Sequence, residues 1–147
     1  HSLNGDVKAL KLALLLLFLQ QGAPCVYYGT EAALAGGPDA EQSGGPEPAC
    51  REAFPWGEPW PADLRSTIAG LADLRRNHPK LIRGDLQWQP TGRDGLLGRA
   101  SGGLSVWVNR STSQSLEIQP GTSTIWTCGS FDGHALAPQS AVVDLQG

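Results

Sequence analysis

Leucine sets the first strong pattern in the chain. Residues 10–19 (LKLALLLLFL) are apolar at nearly every position, which leaves a helix no broad polar face and predicts burial on several sides. Asn4 or Asp6 can cap its start by accepting from a free amide, and Gly22 can end it in the left-handed conformation. With Lys8 and Lys11 ahead and Gly22 and Ala23 behind, the run imitates a secretory signal. Lys11 inside its start and Pro24 near the cleavage position favour a buried helix instead. Crossing a bilayer takes about 20 apolar residues, so no membrane span is expected.

The pattern then shortens. Residues 24–28 (PCVYY) form an apolar run suited to a pleated strand, halted at Gly29. Helix, short break and strand make the αβ half of a parallel α/β unit, and the lack of alternation predicts a strand covered on both faces. Residues 31–60 carry Gly36-Gly37-Pro38, Gly44-Gly45-Pro46, Pro48, Pro55, Gly57 and Pro59 without periodic apolar positions, which predicts a long irregular loop. A second helix is predicted over 61–78, because Leu64, Ile68, Leu71 and Leu74 recur on one stripe and Pro79 closes it. Gly70 in mid-helix marks either close packing or a tolerated weakness.

Beyond Gly84 the period changes to two. Short alternating segments at 86–89, 96–99, 104–109, 115–118, 123–127 and 141–145, with turns at Ser101-Gly102-Gly103 and Pro120-Gly121, predict an antiparallel sheet or sandwich. The expected boundary lies near 82–84, giving an α/β unit over 1–82 and a β domain over 83–147. Trp88, Trp107 and Trp126 are expected in the core of the latter.

Composition narrows the class. Hydrophobic residues at 40% and charged residues at 17% fit a globular chain rich in turns, and 19 glycines agree. A net charge of -3 argues against nucleic acid, which demands clustered Lys and Arg. Cys25, Cys50 and Cys128 are too scattered for a zinc site or a disulfide framework, which fits a reduced, cytoplasmic setting; one disulfide plus one free thiol stays open. His1 in first place and the absence of Met lead to the expectation of a fragment.

Particular residues now match a family. Gly22, Pro24, Tyr27, Tyr28, Gly29 and Glu31 resemble the eighth barrel strand of the α-amylase family of glycoside hydrolases, which commonly reads G-x-P-x-x-Y-Y-G-x-E. Gly36-Gly37, then Glu47-Pro48-Ala49-Cys50-Arg51 and Phe54-Pro55-Trp56, resemble the loop G-G-x-D-P-x-x-R-x-x-x-P-W of neopullulanase-like and cyclomaltodextrinase-like members. Glu47 replaces the aspartate, and extra residues from Pro38 to Pro46 intervene. Residues 71–84 (LADLRRNHPKLIRG) are similar to the last barrel helix and its exit, and 106–110 (VWVNR) to a strand of the β domain that follows.

The resemblance implies an α/β plus β architecture: the C-terminal part of a (β/α)8 TIM barrel followed by a small antiparallel β-sandwich domain. It implies a retaining enzyme acting on α-glucosidic bonds of starch, maltodextrins or related α-glucans, whose three carboxylates stand at the ends of barrel strands four, five and seven. No catalytic residue is therefore expected in this chain, which by itself should be inactive and should need the rest of its own barrel. A non-catalytic amylase-like protein and a carbohydrate-binding module are the alternatives. The resemblance places Glu47 and Arg51 over the cleft, where an acceptor carboxylate and a planar donor suit vicinal hydroxyls; an ion pair within the loop is the plainer reading. Trp56 and Tyr28 complete the expected substrate-binding set, against the alternative that Trp56, Phe54 and Trp60 only anchor the loop. Tyr27 and Tyr28 should alternate sides of the strand, so that at most one faces the cleft. Glu31 is read as a structural carboxylate. No metal and no cofactor are expected.

Overall fold

The computed structural model describes residues 3, 5–34, 53–57, 59–79 and 86–146. Helix α1 spans Val7–Leu19, and the Asp6 carboxylate caps it by accepting from the amides of Lys8 at 2.9 Å and Ala9 at 3.1 Å. Asp6 also accepts from the Gln139 side chain, and that bond, followed by the Ala9 amide, holds its carboxyl below the usual range. The helix stops at Leu19, earlier than Gly22 suggested; Gly22 takes its left-handed φ of 88° in the turn that follows. Leu12, Leu14, Leu15, Phe18 and Leu19 are buried while Ala13 is exposed, so the helix is covered on most sides.

Helix α2 spans Ala62–Asn77, and its stripe behaves as the spacing predicts: Leu64, Leu71 and Leu74 are buried and Ile68 is half-buried. The two helices pack together, tied at one end by the Lys11–Asp63 ion pair. At the other end the Arg75 guanidinium donates to the carbonyls of Phe18, of Gln20 at 3.0 Å and of Gly22 at 2.6 Å. The Phe18 carbonyl is one that a helix C-terminus leaves without an intrahelical partner, and the other two belong to the turn that follows. A planar fork reaches several at once, whereas an ammonium is a point donor. Arg75→Lys is therefore expected to lower stability by about 1 kcal/mol, read as a drop in the urea midpoint at unchanged slope; an unchanged midpoint would show that the clamp is redundant.

Seven strands follow: β1 Gln87–Thr91, β2 Gly95–Ala100, β3 Leu104–Asn109, β4 Leu116–Glu117, β5 Ser123–Cys128, β6 Ala135–Leu136 and β7 Ser140–Leu145. Five make one antiparallel sheet in the order β1-β2-β3-β7-β5, and β4 pairs with β6 in a second. Pro90 sits in β1, an edge strand, where a missing amide does the least harm. Strands β3 and β7 are central, and period two sends their side chains to two different cores. Leu104, Val106, Val108, Ala141 and Val143 meet the leucines of α1 and α2 on one face. Trp107 and Val142 meet Leu97, Ile118 and Leu136 on the other, beneath the small sheet.

A single hydrophobic cluster thus contains residues from both sides of the expected boundary near 82–84; residues 80–85 themselves lie outside the described ones. A β-bulge between Thr124 and Trp126 turns Trp126 toward the helices, and a Cβ placed on Gly70 would stand 3.1 Å from its indole nitrogen. Mid-helix Gly70 is explained by close packing. The antiparallel sheets agree with the expected β domain.

One expectation needs correcting. Residues 24–28 form no ladder in the described structure. A parallel barrel strand takes its bonds from strands on both flanks, and the described residues offer it neither. Ahead of β1 the described structure contains helices and no strand.

Candidate functional site

With no ladder to impose alternation, Tyr27 and Tyr28 do not point to opposite sides as expected. Both are exposed, at 61% and 42%, and their rings lie 5.0 Å apart at 56°. The chain then folds back tightly. Gly29 has φ 88°, opens a 3-10 turn over Thr30–Ala32, and its carbonyl accepts from Ala32 at 3.1 Å and Leu34 at 2.9 Å. A Cβ on Gly29 would come within 2.6 Å of the Leu34 side chain, so position 29 demands glycine on two counts. Glu31 lies on this turn, half-buried.

A second aromatic group stands just before α2. Phe54 packs against Trp56 with centroids 4.6 Å apart and meets Trp60 edge-on at 4.9 Å. The half-buried Trp60 ring donates from Nε1 to the Pro55 carbonyl at 3.0 Å, which fixes the bend. Trp56 is 80% exposed. The cluster therefore divides the two roles weighed for it: Trp60 anchors and Trp56 is presented. Glu47 and Arg51 lie outside the described residues.

A cavity of about 620 Å³ lies elsewhere, where the N-termini of α1 and α2 meet the ends of β5 and β7, lined by Lys8, Lys11, Asp63, Cys128, Ser130 and Gln139 among others. Its charges are largely committed, since Lys11 holds Asp63 and that bond draws the Asp63 carboxyl below its usual range. Burial pushes the Cys128 thiol up, which disfavours the reactive thiolate. Cys25 is exposed, and both thiols are free. Among the described residues no group of three or more His, Cys, Asp or Glu side chains is placed to hold a metal, and no helix is long and apolar enough to cross a membrane.

No family model matches the chain. Individual relatives do. The amylopullulanase of Thermoanaerobacter thermohydrosulfuricus is 38% identical over 81 residues, which are 55% of this chain and 5% of that protein. A cyclomaltodextrinase from a Bacillus species is 35% identical over 86 residues, 58% of this chain and 14% of the relative. Across almost the whole chain, the fold matches the cyclic α-maltosyl-(1→6)-maltose hydrolase of Arthrobacter globiformis, with a TM-score of 0.74, 28% identity, and coverage of 98% of this chain and 31% of that one.

The chain is similar to enzymes of the α-amylase family. It spans only a small part of the curated relatives, 5% and 14% of the two just named. A debranching enzyme from Nostoc punctiforme shares the fold at a TM-score of 0.73 and 24% identity over 98% of the chain and 32% of that structure. Sequence reasoning gave Arg75 no role, although it stands in the L-x-x-L-R pattern of the family's last barrel helix. The signal was there as a cation in the last turn of a helix, but its acceptors lie more than fifty residues away, at the end of α1 and in the turn that follows it.

Proposed function

We propose that this chain belongs to a retaining glycoside hydrolase acting on α-glucosidic bonds of starch, maltodextrins or related α-glucans, and that it contributes a sugar-binding wall and not the catalytic carboxylates. In such an enzyme one carboxylate attacks the anomeric carbon while a second serves as acid and then base. Those groups belong to the rest of the barrel. The wall consists of Trp56 and Tyr28 with Glu47 and Arg51. The observation that carries this reading is Trp56, 80% exposed on a bend secured by Phe54 and Trp60. Leaving a large ring in water forgoes about 1.5–3 kcal/mol of burial, and a pyranose face would recover part of it. Named relatives support the substrate class, for they are an amylopullulanase and a cyclomaltodextrinase.

The test is a maltotriose titration of the 147-residue chain followed by indole fluorescence. Trp56→Ala is expected to weaken binding about tenfold, equivalent to 1.4 kcal/mol, and Arg51→Ala to weaken it comparably, with the purified chain releasing no reducing sugar from maltodextrin. Retention of full affinity in both variants would sink the wall, and hydrolysis by the wild-type chain would sink the assignment of the carboxylates elsewhere.

A further inference from the structure

Strand β7 ends in a charged group that its surroundings do not serve. Period two sends Val143 into the core beneath the helices and Asp144, like Val142, to the opposite face of the sheet. Asp144 is wholly buried there, and neither carboxylate oxygen has a hydrogen-bond partner among the described residues. Its cover is the backbone at Gly121. A Cβ at that position would stand 3.0 Å from Asp144 Oδ1 and 2.2 Å from the Leu145 carbonyl oxygen, so only glycine can pass this close. Thr122 fastens the cover, donating to that same carbonyl from its amide at 2.7 Å and from its hydroxyl at 3.2 Å. Upstream the next backbone bond is that of the Ile118 amide to the His134 carbonyl, and residues 119–121 make none among the described residues.

No charge compensates the carboxyl. From β3 it meets Ser105, whose hydroxyl accepts from the Gln146 side chain at 2.7 Å, and from β5 it meets Thr124. Beyond Ser105 in the same row stand the exposed Arg99 on β2 and then Gln87 on β1, and the small sheet brings the exposed Glu117 on β4. Neither Arg99 nor Glu117 is bonded to Asp144. A carboxylate buried without donor or counter-charge disfavours its own ionised form, and burial pushes the Asp144 carboxyl up against smaller pulls from the Gly121 amide and Gln146. Ionisation can be relieved in two ways: the sheet gives way, or the cover does. Strand β7 is paired with β3 at six positions and with β5 at five, whereas the cover hangs on Thr122. A segment with few bonds opens at lower cost than a central strand.

We propose that Asp144 is a pH-sensitive pin for residues 119–122: protonated, it lies closed beneath Gly121; ionised, it lifts that segment and reaches water while the five-stranded sheet stays folded. In the open form the carboxyl titrates in the ordinary range, near pH 4, and in the closed form higher. Closure is therefore fully favoured below that range and is lost as pH rises toward the closed-form value. Over this interval one proton is released on opening, so the open fraction grows by up to about tenfold per pH unit.

Amide hydrogen exchange of the 147-residue chain, resolved by residue and divided by the intrinsic rate at each pH, reads the opening directly. From about pH 4 upward the protection of the Thr122 amide is expected to fall by up to about tenfold per unit, while Val106 and Val108 on β3 and Val142 on β7 keep theirs. Asp144→Asn should make Thr122 protection independent of pH, and Glu117→Gln should leave its pH dependence in place. A flat Thr122 profile in the wild type would overturn the pin, and so would central strands that lose protection in step with Thr122. A dependence that survives in Asp144→Asn, or vanishes in Glu117→Gln, would assign the titration to another group and refute the proposal. The wild-type profiles alone suffice to refute it, should either variant fail to fold.

Discussion

Replacing Asn109 with aspartate is expected to destabilise the fold by about 3–5 kcal/mol, the range for a buried charge left without a partner. Asn109 is 1% exposed. Its side-chain amide nitrogen faces the carbonyls of Gln114 at 2.8 Å, Leu136 at 3.1 Å and Ala137 at 3.0 Å, while its oxygen accepts from the Ser111 amide at 3.0 Å. Two hydrogens are shared among three acceptors, and the clamp joins the end of β3 to β6 and to the loop before β4. A carboxylate there would confront three carbonyl oxygens with no proton to offer. Its pKa would rise, so the penalty should be small below the ordinary aspartate range, near pH 4, and grow as pH increases. Urea unfolding at pH 4 and 7 checks this. The gap between variant and wild type should widen at the higher pH, and a pH-independent gap would mean that lost geometry, not charge, is responsible.

Asp144→Asn should act in the opposite direction. Asp144 is fully buried, and neither carboxylate oxygen has a hydrogen-bond partner among the described residues. Burial pushes its carboxyl up; the Gly121 amide and the Gln146 side chain pull it down without reaching an oxygen in bonding geometry. Its cross-strand neighbours are Ser105 on β3 and Thr124 on β5. The nearest charge in that row is the exposed Arg99, beyond Ser105. Because the folded pKa is raised, the wild type is fully stable with respect to this group only below the unfolded pKa, and loses stability as pH rises toward the folded one. Asparagine has no such loss and can donate to the two flanking hydroxyls. A gain of about 1–3 kcal/mol at pH 7, shrinking toward zero near pH 4, is expected from thermal unfolding. A variant less stable than wild type at pH 7 would show that the carboxyl is held by partners.

Much of this fold was written in local pattern. The leucine-rich helix, its aspartate cap, the stripe from Leu64 to Leu74 and six of the strands follow from periodicity, because each is set by neighbours within a few residues. Strand β6, Ala135–Leu136, escaped since two residues cannot display a period. The strand expected at 24–28 failed for a different reason: its bonds would come from other strands, and composition cannot supply them. Residues matched to the family also fared unevenly. Gly29 has a steric explanation and Trp56 is exposed, while Tyr28 is beside Tyr27 instead of opposed to it. Asn109 and Arg75 sat inside quoted motifs, yet their partners are dispersed backbone carbonyls that no spacing rule reveals.

The cluster that unites α1 and α2 with β3 and β7 bears on how such proteins can be recombined. A chimera joined in the segment between α2 and β1 would separate Leu15, Leu64 and Leu71 from Val106, Val108 and Val143, and the two parents would each bring half of a fitted surface. Gly70 under Trp126 and Gln139 on Asp6 make that seam specific to one sequence. Exchange of the β module between amylase relatives should therefore succeed when both helices travel with it, placing the useful crossover ahead of Asp6.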